Sequence, residues 1–256
     1  MIDERAVISP ESTVHEDAHV GPYAIIGPHV EIGRGTRIEA HTVIKGPTKI
    51  GADNHIYQFA SIGDDPQDKK YRGERTELVI GDRNTIREYC TINRGTTQDE
   101  GVTRVGNDNW IMAYVHIAHD CVVGNSTIFA NNASIAGHAR VDDYAILGGF
   151  TAVHQFCRIG TNALTSMFSY VTKDIPAYVI VSGRPAEPRG VNTEGLKRRE
   201  FSVAQQRAIR EAYRVLYRQN LGLDEAIAKI RATLEVDAQL EAFLASLKAG
   251  SRGLIR

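Results

Sequence analysis

The sequence predicts a mainly β protein in which a parallel β-helix is followed by a small α-helical domain. Two periodicities support this fold class. From Ile8 to Ile62 every sixth residue is isoleucine or valine, and a six-residue apolar period runs again from Val105 to Ile159. After about Pro176 this period stops, and apolar residues recur at the spacing of amphipathic helices. A short fixed period over more than half of a chain is typical of a solenoid of stacked units.

Each six-residue repeat supplies two inward positions of a triangular solenoid with three repeats in each coil. The aliphatic residue is one, and a small residue four positions later, such as Ala60, is the other. Stacked coils lie about 4.8 Å apart and share backbone hydrogen bonds, so both positions form buried ladders. Cys90, Cys121 and Cys157 all fall on the second position, which predicts buried fillers rather than nucleophiles or metal ligands.

Glycine frequently follows the aliphatic residue of a repeat, as in Ile32-Gly33 and Ile50-Gly51. A chain that turns a tight corner every six residues needs a positive φ or a close approach between backbones, and glycine permits both. We therefore expect the corners of the solenoid at these glycines.

The six-residue period is interrupted twice, and both interruptions are predicted to be loops that leave the solenoid. One lies near 64–78 and is too polar to be core, and the other lies near 94–104, where the period slips by one residue. Loops of this kind often carry binding residues on a rigid scaffold. The solenoid with its two loops is predicted to occupy residues 1–189.

Residues 190–256 are predicted to form the α-helical C-terminal domain, after the proline- and glycine-rich connector VSGRPAEPRGVN. Helical spacing is present in three segments: Ile209, Ala212, Tyr213 and Leu216; Leu223, Ile227, Ile230 and Leu234; and Leu240, Phe243, Leu244 and Leu247. Amphipathic helices need a surface to cover, which would be the side of the solenoid or a neighbouring subunit.

Composition and charge argue against several classes of protein. The formal net charge of −1 gives no support to binding of nucleic acid or of an anionic membrane. The start MIDERAVISPES lacks the features of a signal peptide, and no apolar run approaches the length of a membrane span. Three cysteines cannot form a closed disulfide set. We expect a cytoplasmic protein with no stable membrane insertion.

The densest group of candidate catalytic residues is His116-Ile117-Ala118-His119-Asp120. Because the isoleucine between them points inward, His116 and His119 are expected to point outward near a corner, and His138 and His154 follow on neighbouring coils. One interpretation is a histidine general base acting on a sugar hydroxyl, with Asp120 orienting the ring. The other is a zinc site of three imidazoles, as in a carbonic anhydrase. Spacing alone does not separate the two.

The chain closely resembles the UDP-N-acetylglucosamine O-acyltransferase family of hexapeptide-repeat transferases. The resemblance covers nearly the whole length and is carried by IGPHVEIG, IYQFASIG, the loop QDKKY at 67–71, HIAHDC, AVHQFC, GVN, EGLKRR and the terminal RGLIR. It implies a left-handed β-helix, a property that the spacing does not give. It also implies transfer of an (R)-3-hydroxyacyl chain from acyl carrier protein to the 3-hydroxyl of UDP-N-acetylglucosamine, the first step of lipid A synthesis. No metal or cofactor is implied beyond the phosphopantetheine arm of the carrier protein.

The same resemblance assigns roles to individual residues. His119 matches the general base, and Gly137 matches the glycine whose backbone N–H stabilises the tetrahedral oxyanion. Asp120 would orient the His119 ring or stabilise its charged form. The residues that match substrate contacts are Asp68, Lys70, His116, His138, His154, Gln155, Asn192, Glu194, Arg198 and Arg199. Family members place the site between subunits of a homotrimer, so a homotrimer is expected here.

Met167 matches the residue that sets the far end of the acyl groove, where a long-chain relative has glycine. Its larger side chain predicts a shorter donor, of about ten to twelve carbons. Two alternatives stay open. Phe168 could be the residue that ends the groove, and Met167 could simply pack between coils. The chain departs from its better-known relatives at Asn93, which stands for a histidine, and at Lys69, which stands for an apolar residue and is expected to face solvent.

Other functions remain open at the level of sequence. The N-acyltransferase that acts later in the same pathway shares the solenoid and the donor, but typically has an extra N-terminal domain, whereas the period here starts by Ile8. The other two alternative functions are a zinc-dependent hydratase and a non-catalytic solenoid with a vestigial site. The sequence also leaves open whether the acceptor sugar carries a 3-hydroxyl or a 3-amino group.

Overall fold

The chain winds through three parallel sheets in turn, so that every third strand along the sequence pairs within the same sheet. The computed structural model describes residues 1–248, 250 and 252–256. Its strands are β1 (Val7–Ile8), β2 (Thr13–Val14), β3 (His19–Val20), β4 (Ile25–Ile26), β5 (Val30–Ile32), β6 (Arg37–Ile38), β7 (Val43–Ile44), β8 (Thr48–Ile50), β9 (His55–Ile56), β10 (Ser61–Asp64), β11 (Glu77–Ile80), β12 (Thr85–Ile86), β13 (Thr91–Asn93), β14 (Val102–Val105), β15 (Trp110–Ile111), β16 (His116–Ile117), β17 (Val122–Val123), β18 (Ile128–Phe129), β19 (Ser134–Ile135), β20 (Arg140–Val141), β21 (Ile146–Leu147), β22 (Ala152–Val153), β23 (Arg158–Ile159), β24 (Leu164–Thr165), β25 (Tyr170–Val171), β26 (Val179–Ser182) and β27 (Glu187–Val191).

The first sheet runs from β1 to β25, the second from β2 to β23, and the third from β3 to β27, with β26 and β27 antiparallel at its end. The three sheets are the sides of a triangular prism. We call the edge between the first and second sheets the first corner, that between the second and third the second corner, and that between the third and first the third corner.

The six-residue period marks the core of this prism, as the sequence predicts. Every period residue from Val20 to Ile159 is buried, and only Ile8 and Val14 at the open end are partly exposed. The three cysteines are buried as well, and burial raises the pKa of the Cys121 thiol to about 12. A thiol protonated in this way is a packing group rather than a nucleophile.

The corners lie two to three residues beyond each period residue and not at the glycines, so that expectation was wrong in position. Positive φ recurs three residues after the period residue, and mostly at aromatic, Asn or Asp side chains such as Tyr23 (59°) and Phe59 (63°). The glycines are required because the backbones of neighbouring coils approach each other closely at these positions. A Cβ on Gly33 would lie 2.6 Å from the backbone carbon of Gly51 in the next coil.

Both long excursions leave the prism at the first corner. The segment 65–76 connects β10 to β11, and the segment 94–101 connects β13 to β14. Because the two loops emerge from consecutive coils on the same corner, they lie side by side. Their position beside β16 and β19 brings loop residues next to the histidine-rich coils.

Four helices follow the last strand: α1 (Thr193–Arg198), α2 (Val203–Arg218), α3 (Leu223–Thr233) and α4 (Ala238–Ser246). The apolar stripes of α2 and α4 are buried. Ser246 Oγ accepts the N–H of Ala177 at 2.9 Å, and the hydroxyl of Tyr178 donates to Gln239 O at 3.2 Å. The helices therefore pack against the solenoid of their own chain. None of the helices in the described ranges is long and apolar enough to cross a membrane.

Candidate active site

A cavity of about 830 Å³ opens at the first corner. Its lining residues come from both excursion loops and from the coils that follow them: Gln67, Asp68, Lys69, Lys70, Gln98, Asp99, His119, His138, Gln155 and Phe156. Five of the predicted site residues are thus brought together: His119, Asp68, Lys70, His138 and Gln155. The parallel stacking explains this meeting, because residues on one corner of successive coils form a column.

His119 and Asp120 form a hydrogen-bonded pair at the wall of this cavity. His119 Nδ1 lies 2.8 Å from Asp120 Oδ2. Asp120 also accepts from Thr96, from its N–H at 2.7 Å and from its hydroxyl at 2.6 Å. Burial on its own would raise the pKa of the Asp120 carboxyl, but the hydrogen bonds from His119 and Thr96 outweigh it and hold this pKa below its ordinary value. The ionised carboxylate selects the His119 tautomer with its proton on Nδ1, which leaves Nε2 as a proton acceptor.

His119, which the sequence places outward near a corner, is nevertheless buried there, since the residue is 8% exposed. Gly137, one coil further on, lies directly against its ring: a Cβ there would be 2.5 Å from His119 Cε1 and 2.7 Å from Nε2. The Gly137 N–H has no backbone acceptor within the described part of the chain. A glycine at this position thus allows a free backbone donor to sit beside the imidazole.

The arrangement fits a general base better than a zinc site. The possible ligand atoms of His119, Asp120 and His138 lie within 4.8 Å of one another, and they are the one such group found among the described residues. However, His119 Nδ1 and Asp120 Oδ2 share a hydrogen bond, and both Asp120 oxygens accept from Thr96. The group contains two imidazoles, fewer than the three of the carbonic-anhydrase type of zinc site.

His116 and His154 lie on the outer face of the first sheet, adjoining the cavity rather than lining it. His116 Nδ1 is 2.7 Å from Thr91 Oγ1. Burial, and to a lesser extent the nearby His119, lower the pKa of the His116 imidazole below 6.5. His154 is half-buried, with Nδ1 3.2 Å from Gln155 O.

The last four predicted substrate contacts lie elsewhere in the chain, at the second corner. Asn192, Glu194, Arg198 and Arg199 line a separate cavity of about 370 Å³. Asn192 is buried there as the N-cap of α1, accepting from Gly195 N at 3.0 Å. The Arg199 guanidinium lies over the ring of Tyr144, and Glu194, Arg198 and Arg199 are all exposed. A single subunit therefore does not bring these residues to His119.

Met167 is at the third corner, where the residue is 63% exposed. It stands in the turn between β24 and β25, beside Phe168, whose ring stacks on Phe150 at 4.9 Å. The residue is thus away from the cavity that holds His119, at the opposite edge of the first sheet.

Sequence reasoning missed the loop residues that support the histidines. Thr96 holds Asp120, and Asp99 lies 2.9 Å from His138 Nδ1. Arg94, which is 6% exposed, joins the two loops through Gly63 O, the Asp65 carboxylate and the Tyr71 hydroxyl. The arginine at the point where the six-residue period slips was the one signal that the sequence offered.

The two departures from the family lie in or directly beside these loops. Asn93 is buried and its Nδ2 donates to Asp65 O at 2.9 Å, so it helps to join the loops to each other. Lys69 is exposed at the rim of the cavity.

Comparison with known proteins places the chain among acyltransferases. Residues 174–255 match the family described as UDP-N-acetylglucosamine O-acyltransferase, domain 2, and residues 11–46 and 103–137 match the bacterial transferase hexapeptide repeat. The acyl-(acyl-carrier-protein)–UDP-N-acetylglucosamine O-acyltransferase of Thiobacillus denitrificans is 55% identical over 255 residues, covering 100% of this chain and 99% of the relative. That of Stutzerimonas stutzeri is 49% identical with the same coverage.

Solved structures agree with these relatives. The UDP-N-acetylglucosamine acyltransferase of Francisella novicida is 43% identical, with a TM-score of 0.97 over 100% of this chain and 94% of that one. LpxA of Acinetobacter baumannii is 42% identical, also with a TM-score of 0.97, over 100% of this chain and 99% of that one.

Proposed function

The chain belongs to the UDP-N-acetylglucosamine O-acyltransferase family, and on this basis we propose that His119 is the general base of its reaction. The enzyme transfers an acyl chain from acyl carrier protein to UDP-N-acetylglucosamine, the first step of lipid A synthesis, on a left-handed parallel β-helix. The names of the relatives specify an O-acyl product, which favours a sugar hydroxyl over an amine as acceptor. The observation that carries the proposal is the oriented His119–Asp120 pair, which faces one cavity together with the loop residues Asp68 and Lys70.

In the proposed mechanism, His119 Nε2 takes the proton of the sugar 3-hydroxyl as that oxygen attacks the thioester carbonyl of the 3-hydroxyacyl donor. The new C–O bond forms while the carbonyl oxygen gains negative charge, which the Gly137 N–H stabilises. Asp120 stabilises the imidazolium through Nδ1–H. Collapse of the tetrahedral intermediate breaks the C–S bond, and the thiolate of the phosphopantetheine arm takes the proton from His119. Every group in this sequence comes from the chain or its two substrates, so no metal or further cofactor is proposed.

We propose that the loop residues of the cavity hold the nucleotide sugar. Lys70 supplies a positive charge for a phosphate, and Asp68 and Gln155 supply acceptors and donors for sugar hydroxyls. His116 and His154 would meet the acyl donor, because the sheet face that carries them leads away from the cavity. The proposed location is the cytoplasm, since the donor is a carrier protein and the acceptor a charged nucleotide sugar.

We further propose a homotrimer in which the second corner of one subunit meets the first corner of the next. Asn192, Glu194, Arg198 and Arg199 would then complete the nucleotide site of a neighbour. A contact between two different surfaces forms a ring when the rotation between subunits closes, and the resemblance to the family implies that this ring has three subunits.

The test of the proposed function is a transfer assay with purified protein, 3-hydroxyacyl carrier protein and UDP-N-acetylglucosamine. His119→Ala is expected to lower kcat by roughly 10²- to 10⁴-fold, the usual contribution of a positioned general base. Asp120→Asn should cost less, because its role is to orient the ring. His19→Ala, an exposed histidine in the first coil, is the matched control and should keep wild-type activity. More than half of wild-type activity in His119→Ala would show that another group is the base.

A further inference from the structure

His138 has a carboxylate partner of its own, separate from the His119–Asp120 pair. Its Nδ1 lies 2.9 Å from Oδ2 of Asp99, a residue 39 positions away in the second excursion loop. The side chain of His138 is 13% exposed and that of Asp99 is 41% exposed. A carboxylate can only accept a hydrogen bond, so this contact selects the tautomer of His138 with its proton on Nδ1.

Two aromatic neighbours fix the plane of the same ring. Phe156 stacks on it, with centroids 4.5 Å apart and planes 11° apart. His119 meets it edge-on, with centroids 5.2 Å apart. His138 Nε2 has no hydrogen bond within the described part of the chain, and it lies 3.8 Å from Asp120 Oδ2. With Nδ1 occupied, Nε2 is the nitrogen that a molecule in the cavity can engage.

Asp99 is held in place by a turn that is anchored at the catalytic carboxylate. Its N–H approaches Thr96 O at 3.3 Å, and Thr96 in turn donates twice to Asp120. The same four-residue turn thus supports both histidines, through Thr96 on one side and through Asp99 on the other. Such outer contacts commonly set the tautomer and direction of a functional imidazole.

We propose that Asp99 is a positioning residue that holds His138 as its Nδ1–H tautomer and directs Nε2 to the nucleotide-sugar acceptor. The identity of this ligand rests on the proposed function, whereas the pairing rests on the geometry alone. Asp99 acts only through His138 and makes no contact with the substrate.

The kinetic test is a double-mutant cycle on Asp99 and His138, read as the KM of UDP-N-acetylglucosamine. Asp99→Ala is expected to raise this KM roughly tenfold, the equivalent of one hydrogen bond to a charged group, with kcat changed less than about threefold. Asp99→Asn retains an acceptor oxygen and should restore most of the affinity. In a His138→Ala background, Asp99→Ala should have no further effect. Glu100→Ala removes the same charge from an exposed neighbour and is the matched control, expected to behave as wild type.

The proposal would be overturned if Asp99→Ala raised this KM by the same factor with and without His138, since Asp99 would then act on the loop. It would also be overturned if Glu100→Ala raised the KM as much as Asp99→Ala, since Asp99 would then act through its charge.

A second measurement does not depend on activity. In ¹⁵N spectra of histidine-labelled protein, recorded at a pH at which the imidazoles are neutral, His138 should carry its proton on Nδ1. This preference should be lost in Asp99→Ala. A wild-type His138 protonated on Nε2 would refute the pairing. An inactive wild-type protein with the Nδ1–H tautomer would instead refute the proposed function alone.

Discussion

The pair of His119 and Asp120 is only the inner part of a longer chain of hydrogen bonds at the scale of single residues. Thr96 uses both its N–H and its hydroxyl on the same carboxylate, and Asp120 N–H is itself held by Thr103 Oγ1 at 2.8 Å. The carboxylate is therefore held by two hydrogen bonds from Thr96, and its backbone by one to Thr103, in addition to its contact with His119. A base whose ring direction is set in this way needs little rearrangement in the transition state.

Thr96→Val tests this arrangement, because it removes the hydroxyl donor and keeps the branched shape and the backbone N–H. We expect kcat to fall by roughly tenfold, the cost of one hydrogen bond to a charged group, while the KM of either substrate changes less than about twofold. Thr97→Val changes an exposed neighbour and serves as the control. If steady-state kinetics show the same loss in both variants, the hydroxyl of Thr96 has no special role.

The sequence could predict which residues are buried but not which loop residues support the site. The inward positions follow a strict period, because every coil must fill the same triangular cross-section; Ile117 and Cys121 could therefore be assigned without a structure. Thr96 and Asp99 lie in a loop with no period, and their partners are 24 and 39 positions away. Contacts of this kind depend on the path of the loop, which local sequence does not determine.

Among the elements, the first sheet connects the cavity to the third corner. One outward row on this sheet consists of His116, Ser134, Ala152 and Tyr170, paired directly in register. The row spans three strand spacings, about 14 Å, with small side chains in the middle. Met167 stands just before the last strand of the row, so an acyl chain laid along this face would reach it after leaving His119.

Met167→Gly is therefore expected to shift the preference of the enzyme towards longer acyl donors. Four methylenes of additional burial are worth roughly 3 kcal/mol, on the order of a hundredfold in kcat/KM. The measurement compares 3-hydroxyacyl donors of roughly ten and fourteen carbons. Met167→Leu keeps the volume of the side chain and should keep the preference. If the glycine variant kept the same order of donor preference, Met167 would not set the chain length. It would then be an ordinary packing residue, or Phe168 would be the residue that ends the groove.

For the whole molecule, the division of the predicted site between two corners is the strongest argument for assembly. The proposed trimer has a mass of about 85 kDa, three times 28.2 kDa. Each nucleotide site would take its base from one subunit and its arginines from the next. Neither cavity alone contains both sets of residues.

Hybrid trimers test the shared site. His119→Ala and Arg198→Glu are each expected to be nearly inactive, but co-expression should restore about a quarter of wild-type activity, because one site in four then pairs an intact base with an intact arginine. Light scattering of the same samples should give the trimer mass. No recovery in the mixture, or a monomer at assay concentration, would rule out the shared site.

The stacking of coils also limits how the gene can change its length. Val7 pairs with Ile25, so one turn of the prism takes 25 − 7 = 18 residues, and a loss or gain of that length preserves every inward position. None of the cavity residues precedes Gln67, so a whole turn can be removed from the early coils without altering the catalytic geometry. Between His119 and Tyr170 the same event would offset the proposed base from the arginines of the neighbouring subunit by about 4.8 Å. Evolutionary variation in length is therefore expected to accumulate at the amino-terminal end of the prism.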